Sequence, residues 1–178
     1  MRTVKTTGLI LLAIAVILLL AALFMKGEIH IEQSVEINAP VSKVWNYTSS
    51  IRDMNAWSPW FTKDENMQTK ISGIDGRPGA QFCWESKTTI ISKGCLSIAD
   101  IKPQQQVDIK LSLYIPYQTS AKGYIKLEPK GTSTKVTLMF YGKRPYPLRV
   151  MKIFGVVEKA VNNNFTTGLQ NLKILCEG

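Results

Sequence analysis

Few residues in this chain of 178 could carry chemistry. His30 is the single histidine. Its phase opposes Ile29 and Ile31 in an alternating run, so it faces away from an apolar core. A general base must lie within hydrogen-bond reach of a partner acid or nucleophile, and the sequence offers none to pair with it. There is no G-x-S-x-G, no H-E-x-x-H and no phosphate loop. Cys83, Cys95 and Cys176 contain no C-x-x-C, and with one histidine they supply no plausible ligand set for a metal. Neither metal nor cofactor is expected. Asp53, Asp64 and Glu65 could stand at a cavity mouth, while Glu85 and Asp108 fall on strands. Each reads as a solvated carboxylate before it reads as a catalytic one, and no catalytic residue is assigned.

The aromatic and apolar sets say more. Trp57 and Trp60 flank Ser58-Pro59, and Trp84, Tyr114, Tyr124 and Tyr141 follow. Ligand pockets are mostly apolar, with a few polar groups to fix orientation. The pocket candidates are Trp57, Trp60, Trp84, Leu111, Leu113, Ile125, Leu138, Phe140, Phe154, Val157, Val161 and Phe165. The three tyrosines oppose the aliphatic phase and suit an outer face. Alternation alone does not separate a lined cavity from a filled core.

The elements that would position these residues follow from periodicity. Period-two alternation begins at Glu28, with Ile29, Ile31, Val35 and Ile37 on one face. Pro40 suits the first turn of a short helix carrying Val41, Val44 and Trp45. Strands are expected at Met67–Ile71, Ala80–Ser86, Thr89–Ile101, Gln106–Ile115, Thr119–Glu128 and Thr134–Gly142. Glycine and proline turns separate them, and short connections favour antiparallel pairing. From Pro147, apolar residues recur at steps of three and four through Val150, Phe154, Val157, Val161, Phe165, Leu169 and Leu172. This predicts one amphipathic helix of about 30 residues, roughly 45 Å long.

Ahead of these elements lies an unlike segment. Gly8 to Met25 is an unbroken run of 18 uncharged, almost wholly apolar residues. As a helix it spans roughly 27 Å, close to a hydrocarbon core with help from flanking residues. A cleaved signal peptide competes, but the run exceeds a usual h-region and ends on bulky Leu23, Phe24 and Met25. An uncleaved single-pass anchor over residues 1–26 is therefore expected, followed by one domain over 27–178. Arg2 and Lys5 outweigh Lys26 and Glu28, which places the amino terminus in the cytoplasm and the domain outside it.

The net charge is +9, and its densest cluster is Lys143, Arg144, Arg149 and Lys152. Such a cluster on a tethered domain could face anionic head groups; a solvated loop and helix start is the plainer reading. No long basic stripe or known motif points to nucleic acid. Buried free thiols are the default for the cysteines, although an extracytoplasmic Cys83–Cys95 bridge is conceivable.

The stretch VEINAPVSKVWNYTSSIRDMNAWSPW resembles the opening of the SRPBCC superfamily, which includes START-like and polyketide cyclase/dehydrase-like proteins. PGAQFCWES, ISKGCLSIADIKP, GTSTKVTLMFYG and NNNFTTGLQNLK agree in order and spacing. The resemblance covers Glu28 to Glu177. It implies an α+β helix-grip fold: a curved seven-stranded antiparallel sheet around a long carboxy-terminal helix, with an internal hydrophobic cavity. It transfers no catalytic residue. The expected function is a membrane-anchored, non-catalytic domain holding a hydrophobic small molecule or lipid. A cyclase/dehydratase-like enzyme and a protein-interaction module with a filled cavity are the alternatives.

Overall fold

The computed structural model describes residues 2–24, 26–60, 64, 66–87, 92–115, 118–146, 149, 152 and 155–178, with the backbone alone at 2–5, 14, 15 and 18. The chain runs α1 (Arg2–Phe24), β1 (Glu28–Ile37), α2 (Val41–Thr48), α3 (Ile51–Asn55), β2 (Gln68–Ser72), β3 (Gln81–Glu85), β4 (Lys93–Lys102), β5 (Gln106–Ile115), β6 (Thr119–Lys130), β7 (Ser133–Lys143) and α4 (Val156–Glu177). The strands form one antiparallel sheet in the order β1-β7-β6-β5-β4-β3-β2. Every neighbour except the closing β1–β7 pair is consecutive, as short turns require. Register shifts in β4 at Lys93/Gly94 and Ile98/Asp100 are the kind of irregularity that bends a sheet. The expected helix-grip architecture is present, a curved sheet holding α4.

Register shows which side chains share the inner face. Ile29, Ile31, Gln33, Val35 and Ile37 stand opposite Gly142, Phe140, Leu138, Val136 and Thr134. Ala121, Gly123, Ile125 and Leu127 continue the same rows on β6, followed by Leu111, Ile109 and Val107 on β5. The core lies where this face meets α2, α3 and the later turns of α4, around Ile37, Val44, Ile51, Val107, Val136 and Leu172. Proline at position 40 is extended and caps α2, and Ser50 accepts from the Asp53 N–H to cap α3.

Three contacts fix the direction of α4. Arg144 Nη2 donates to Glu158 Oε1 at 2.8 Å, Gln33 Nε2 to Asn162 Oδ1 at 3.0 Å, and the Asn38 N–H to Glu177 Oε1 at 2.7 Å. The helix therefore runs alongside β1 in the same sense, with its first turns beside Gly27 and its last beside Asn38.

The structure shortens the expected final helix. It starts at Val156, after Gly155, which takes a left-handed φ of 58° that glycine adopts without a Cβ clash. Pro147, Val150 and Phe154, expected in its first turns, lie outside the described residues. The strand expected from Thr89 begins at Lys93; Ser92 precedes it and 89–91 lie outside the described residues. The default of free thiols is corrected at two positions: Cys83 and Cys95 are direct cross-strand partners joined by a disulfide, with Cα atoms 4.0 Å apart. Cys176 is free and buried, as expected.

The first helix presents Leu9, Ile10, Leu11, Leu12, Ile17 and Phe24 to the exterior. Over the described residues alone, no helix is long and apolar enough to cross a membrane. The α1 backbone is nonetheless helical for 23 residues, and its full sequence carries no charge from Thr6 to Phe24. The anchor expected over residues 1–26 is not supported by the described residues.

Candidate functional site

The inner face changes character along α4. Beside the last turns, Ile37, Val107, Val136 and Leu172 are fully buried. Beside the first turns, Leu111, Leu113, Phe140, Val157 and Val161 are only partly covered. The registers set the three strand residues on successive rungs of one face. Phe140 pairs with Gly123, Gly123 with Ile109, Leu111 with Ala121, and Ala121 with Gly142. Gly142 pairs in turn with Ile29, next to the Gly27 end where α4 begins. Small residues stand at 121, 123 and 142 among them, and the Phe140 ring lies against Gly142, where a Cβ would meet it at 3.4 Å. The inner face is therefore less completely buried beside the first turns of α4 than beside the last.

Several pocket candidates belong to the filled part instead. Ile125 and Leu138 are buried in the core. Trp57 is buried too; its Nε1–H donates to the Tyr47 carbonyl at 2.7 Å, and its own carbonyl accepts from Asn171 Nδ2. A Cβ on Gly168 would lie 3.3 Å from Trp57 Cε3 and Pro59 Cδ, so α4 rests directly on this loop. Phe165 is buried and meets Trp60 edge-on, with ring centroids 5.5 Å apart; Trp60 itself is 40% exposed. Trp84 lies over Gly94, where a Cβ would come within 2.6 Å of the ring, and stacks on Phe82 at 6.1 Å. Phe154 lies outside the described residues. Of the twelve candidates, then, Leu111, Leu113, Phe140, Val157 and Val161 are partly covered on the inner face and the facing turns of α4. Trp60 and Trp84 are partly exposed elsewhere on the inner surface, and Trp57, Ile125, Leu138 and Phe165 pack the core.

The sequence reading passed over one polar pair. Gln33 and Asn162 bond across the gap between β1 and α4. The signal was there: Gln33 shares its phase with Ile31 and Val35, so a polar side chain points inward. Such a pair is suited to orient a polar group on an otherwise apolar ligand.

The titratable groups singled out in the sequence have partners of their own or are exposed. His30 and Tyr141 are cross-strand partners on the outer face, and Tyr141 donates to Glu28. Tyr124 donates to Glu32 at 3.1 Å; desolvation and that carboxylate push its pKa up. Asp53 caps α3 with Ser50. Asp64 accepts from Ser86 Oγ at 2.5 Å, Glu85 pairs with Lys93, and Asp108 accepts from Gln106. Glu65 lies outside the described residues. No metal-ligating cluster of three or more His, Cys, Asp or Glu occurs among the described residues.

Among the described residues, open pockets lie elsewhere. One, of about 260 Å³, lies over the disulfide between Lys70, Cys83, Cys95 and Tyr114. Another, of about 280 Å³, is lined by Lys26, Gly27, Glu28, Lys143, Arg144 and Arg149. The solvated-loop reading of the basic cluster fails at Arg144, whose side chain is 2% exposed.

Comparison with known proteins agrees with this architecture. The solved structures it resembles include protein CV1439 from Chromobacterium violaceum, at 14% identity and a TM-score of 0.59, covering 84% of this chain and 97% of that one. The Aha1 dimer from Colwellia psychrerythraea matches at 16% identity and a TM-score of 0.58, over 84% and 96%. The Mll3558 protein from Rhizobium loti matches at 17% identity and a TM-score of 0.58, over 81% and 98%. At such identities the likeness is one of fold. No curated protein matches the chain. Residues 28–177 match the family described as polyketide cyclase / dehydrase and lipid transport, and the chain belongs to that family.

Proposed function

We propose that this protein is a membrane-anchored domain that holds a hydrophobic small molecule or lipid in a groove between its sheet and α4. The family fold suggests a hydrophobic-ligand-binding domain. The observation that carries the reading is the partial exposure of Leu111, Leu113 and Phe140 on the inner face of the sheet and of Val157 and Val161 on the first turns of α4. Covering such surface is favourable by roughly 25 cal/mol per Å². Binding rather than catalysis is favoured because His30 and the carboxylates Asp53, Asp64, Glu85 and Asp108 are engaged or exposed elsewhere.

The anchor is α1. Its uncharged run and exposed apolar side chains suit a lipid surrounding. The carboxy-terminal end of α1 is one short linker from Gly27, so the open end of the groove would face the bilayer. The Cys83–Cys95 bridge favours an oxidising compartment. That agrees with an extracytoplasmic domain read from Arg2 and Lys5.

Native mass spectrometry of the detergent-extracted full chain tests this. A co-purifying apolar adduct, lost when Leu111 and Val161 are both replaced by Trp to fill the groove, is expected. A chain that is adduct-free from several membrane sources would overturn the proposal.

A further inference from the structure

We propose that Lys26, Lys143, Arg144 and Arg149 form a binding site for a phosphate-type oxyanion, the chemistry shared by phospholipid head groups and free phosphate. The placement of this site at the bilayer rests on the proposed anchoring, but its capacity for an anion does not. Three separate segments build it: the linker after α1 supplies Lys26 and Gly27, the end of β7 supplies Lys143 and Arg144, and Arg149 follows before α4. Together they line an open pocket of about 280 Å³.

Arg144 is the central residue. It is 3% exposed, its N–H donates to the Gly27 carbonyl at 2.7 Å, and its Nη2 donates to Glu158 Oε1. That leaves its Nε and Nη1 buried without an acceptor. Buried polar groups in folded proteins are almost always satisfied, so an orphaned guanidinium edge on a pocket wall points to an occupant. A planar guanidinium matches an oxyanion through paired N–H groups. Among the described residues, four cations stand against two carboxylates here: Glu28, which lines the pocket, and Glu158, whose Oε2 also lacks a partner. The pocket is built tightly around the linker. A Cβ on Gly27 would lie 2.4 Å from the Arg144 carbonyl oxygen and 3.1 Å from Arg149 Nε, so only glycine lets the linker close over both arginines.

The site lies at the same end of α4 as the proposed groove. An amphipathic ligand would then place its apolar part against Phe140 and Val161 and its anionic head against Arg144.

Inorganic phosphate titrated calorimetrically into the full chain, in neutral detergent at fixed ionic strength, tests the site. Saturable binding is expected, at least tenfold weaker in Arg144→Gln and in the double variant Lys143→Gln/Arg149→Gln. If Arg144→Gln does not fold, the double variant decides, since it leaves the Arg144–Glu158 pair in place. Gly27→Val, which changes shape and not charge, should also weaken binding. Nanodiscs distinguish the sources. Phosphate binding lost in phosphatidylglycerol discs but kept in phosphatidylcholine discs identifies a head-group site; binding kept in both identifies a site for free phosphate. No saturable binding in detergent, or equal binding in wild type and both charge variants, would overturn the inference. Phosphate binding without any apolar adduct would sink the lipid-holding function while leaving this site standing.

Discussion

At the residue scale, glycines decide how closely the large aromatics pack. Gly94 lets the Trp84 ring lie on the strand, and Gly168 lets α4 settle on Trp57 and Pro59. Glycine costs about 1 kcal/mol in a helix interior relative to alanine, so its place at 168 needs such a contact to justify it. Gly168→Val would drive two methyl groups into the Trp57 ring. We expect a loss of about 1–3 kcal/mol in urea-induced unfolding, the usual cost of overpacking; an unchanged midpoint would contradict the close approach. The sequence shows a glycine at 168 but not what it packs against, because the partner lies more than a hundred positions away. The same holds for Arg144. Its position in a basic run was plain, whereas its burial depends on Gly27 and Glu158 arriving from distant segments.

Two joints at the element scale close the sheet and helix. The carboxylate of Glu177 accepts the Asn38 N–H and pairs with Lys173, tying the end of α4 to the end of β1. The Asn38 bond first, and Lys173 after it, hold its pKa below the ordinary glutamate value. A depressed folded-state pKa contributes stability above the unfolded pKa and loses it as pH falls through the folded one. The melting-temperature difference between wild type and Glu177→Gln should therefore be largest near neutrality. It should close below the ordinary glutamate range; a gap independent of pH would show the charge to be irrelevant. The second joint is the Cys83–Cys95 bridge, which spans 12 residues and holds β3 to β4 near the sheet edge. Loop-closure arguments give about 2–3 kcal/mol for a loop of this size. The Cys83→Ser/Cys95→Ser double variant should lose that much in denaturant melts, and equal stability would contradict it. The strands were legible because alternation survives burial on one face, as at Val107–Leu113 and Val136–Phe140. The start of α4 was not, because the three-and-four spacing of apolar residues continues upstream of Gly155. Periodicity does not register a single left-handed residue that sets where the helix starts.

At the scale of the whole molecule, the polarity of α4 relative to β1 organises everything else. Its later turns bury the filled core, while its first turns leave the aliphatic inner face partly open, beside the linker from α1 and the basic pocket. The seven strands, the final helix and their order were readable from turn residues and alternation. The division of the inner face into a filled and an open part was not, since lined and filled cavities share one pattern of alternation. The most direct measurement is photo-crosslinking of the full chain, in bilayers, to a phospholipid with a diazirine near the end of one acyl chain, followed by peptide mapping. The account predicts labels on β5 at Leu111 and Leu113, on β7 at Phe140 and on the first turns of α4 at Val157 and Val161, in addition to α1. Labels confined to α1, with the groove residues untouched, would contradict it.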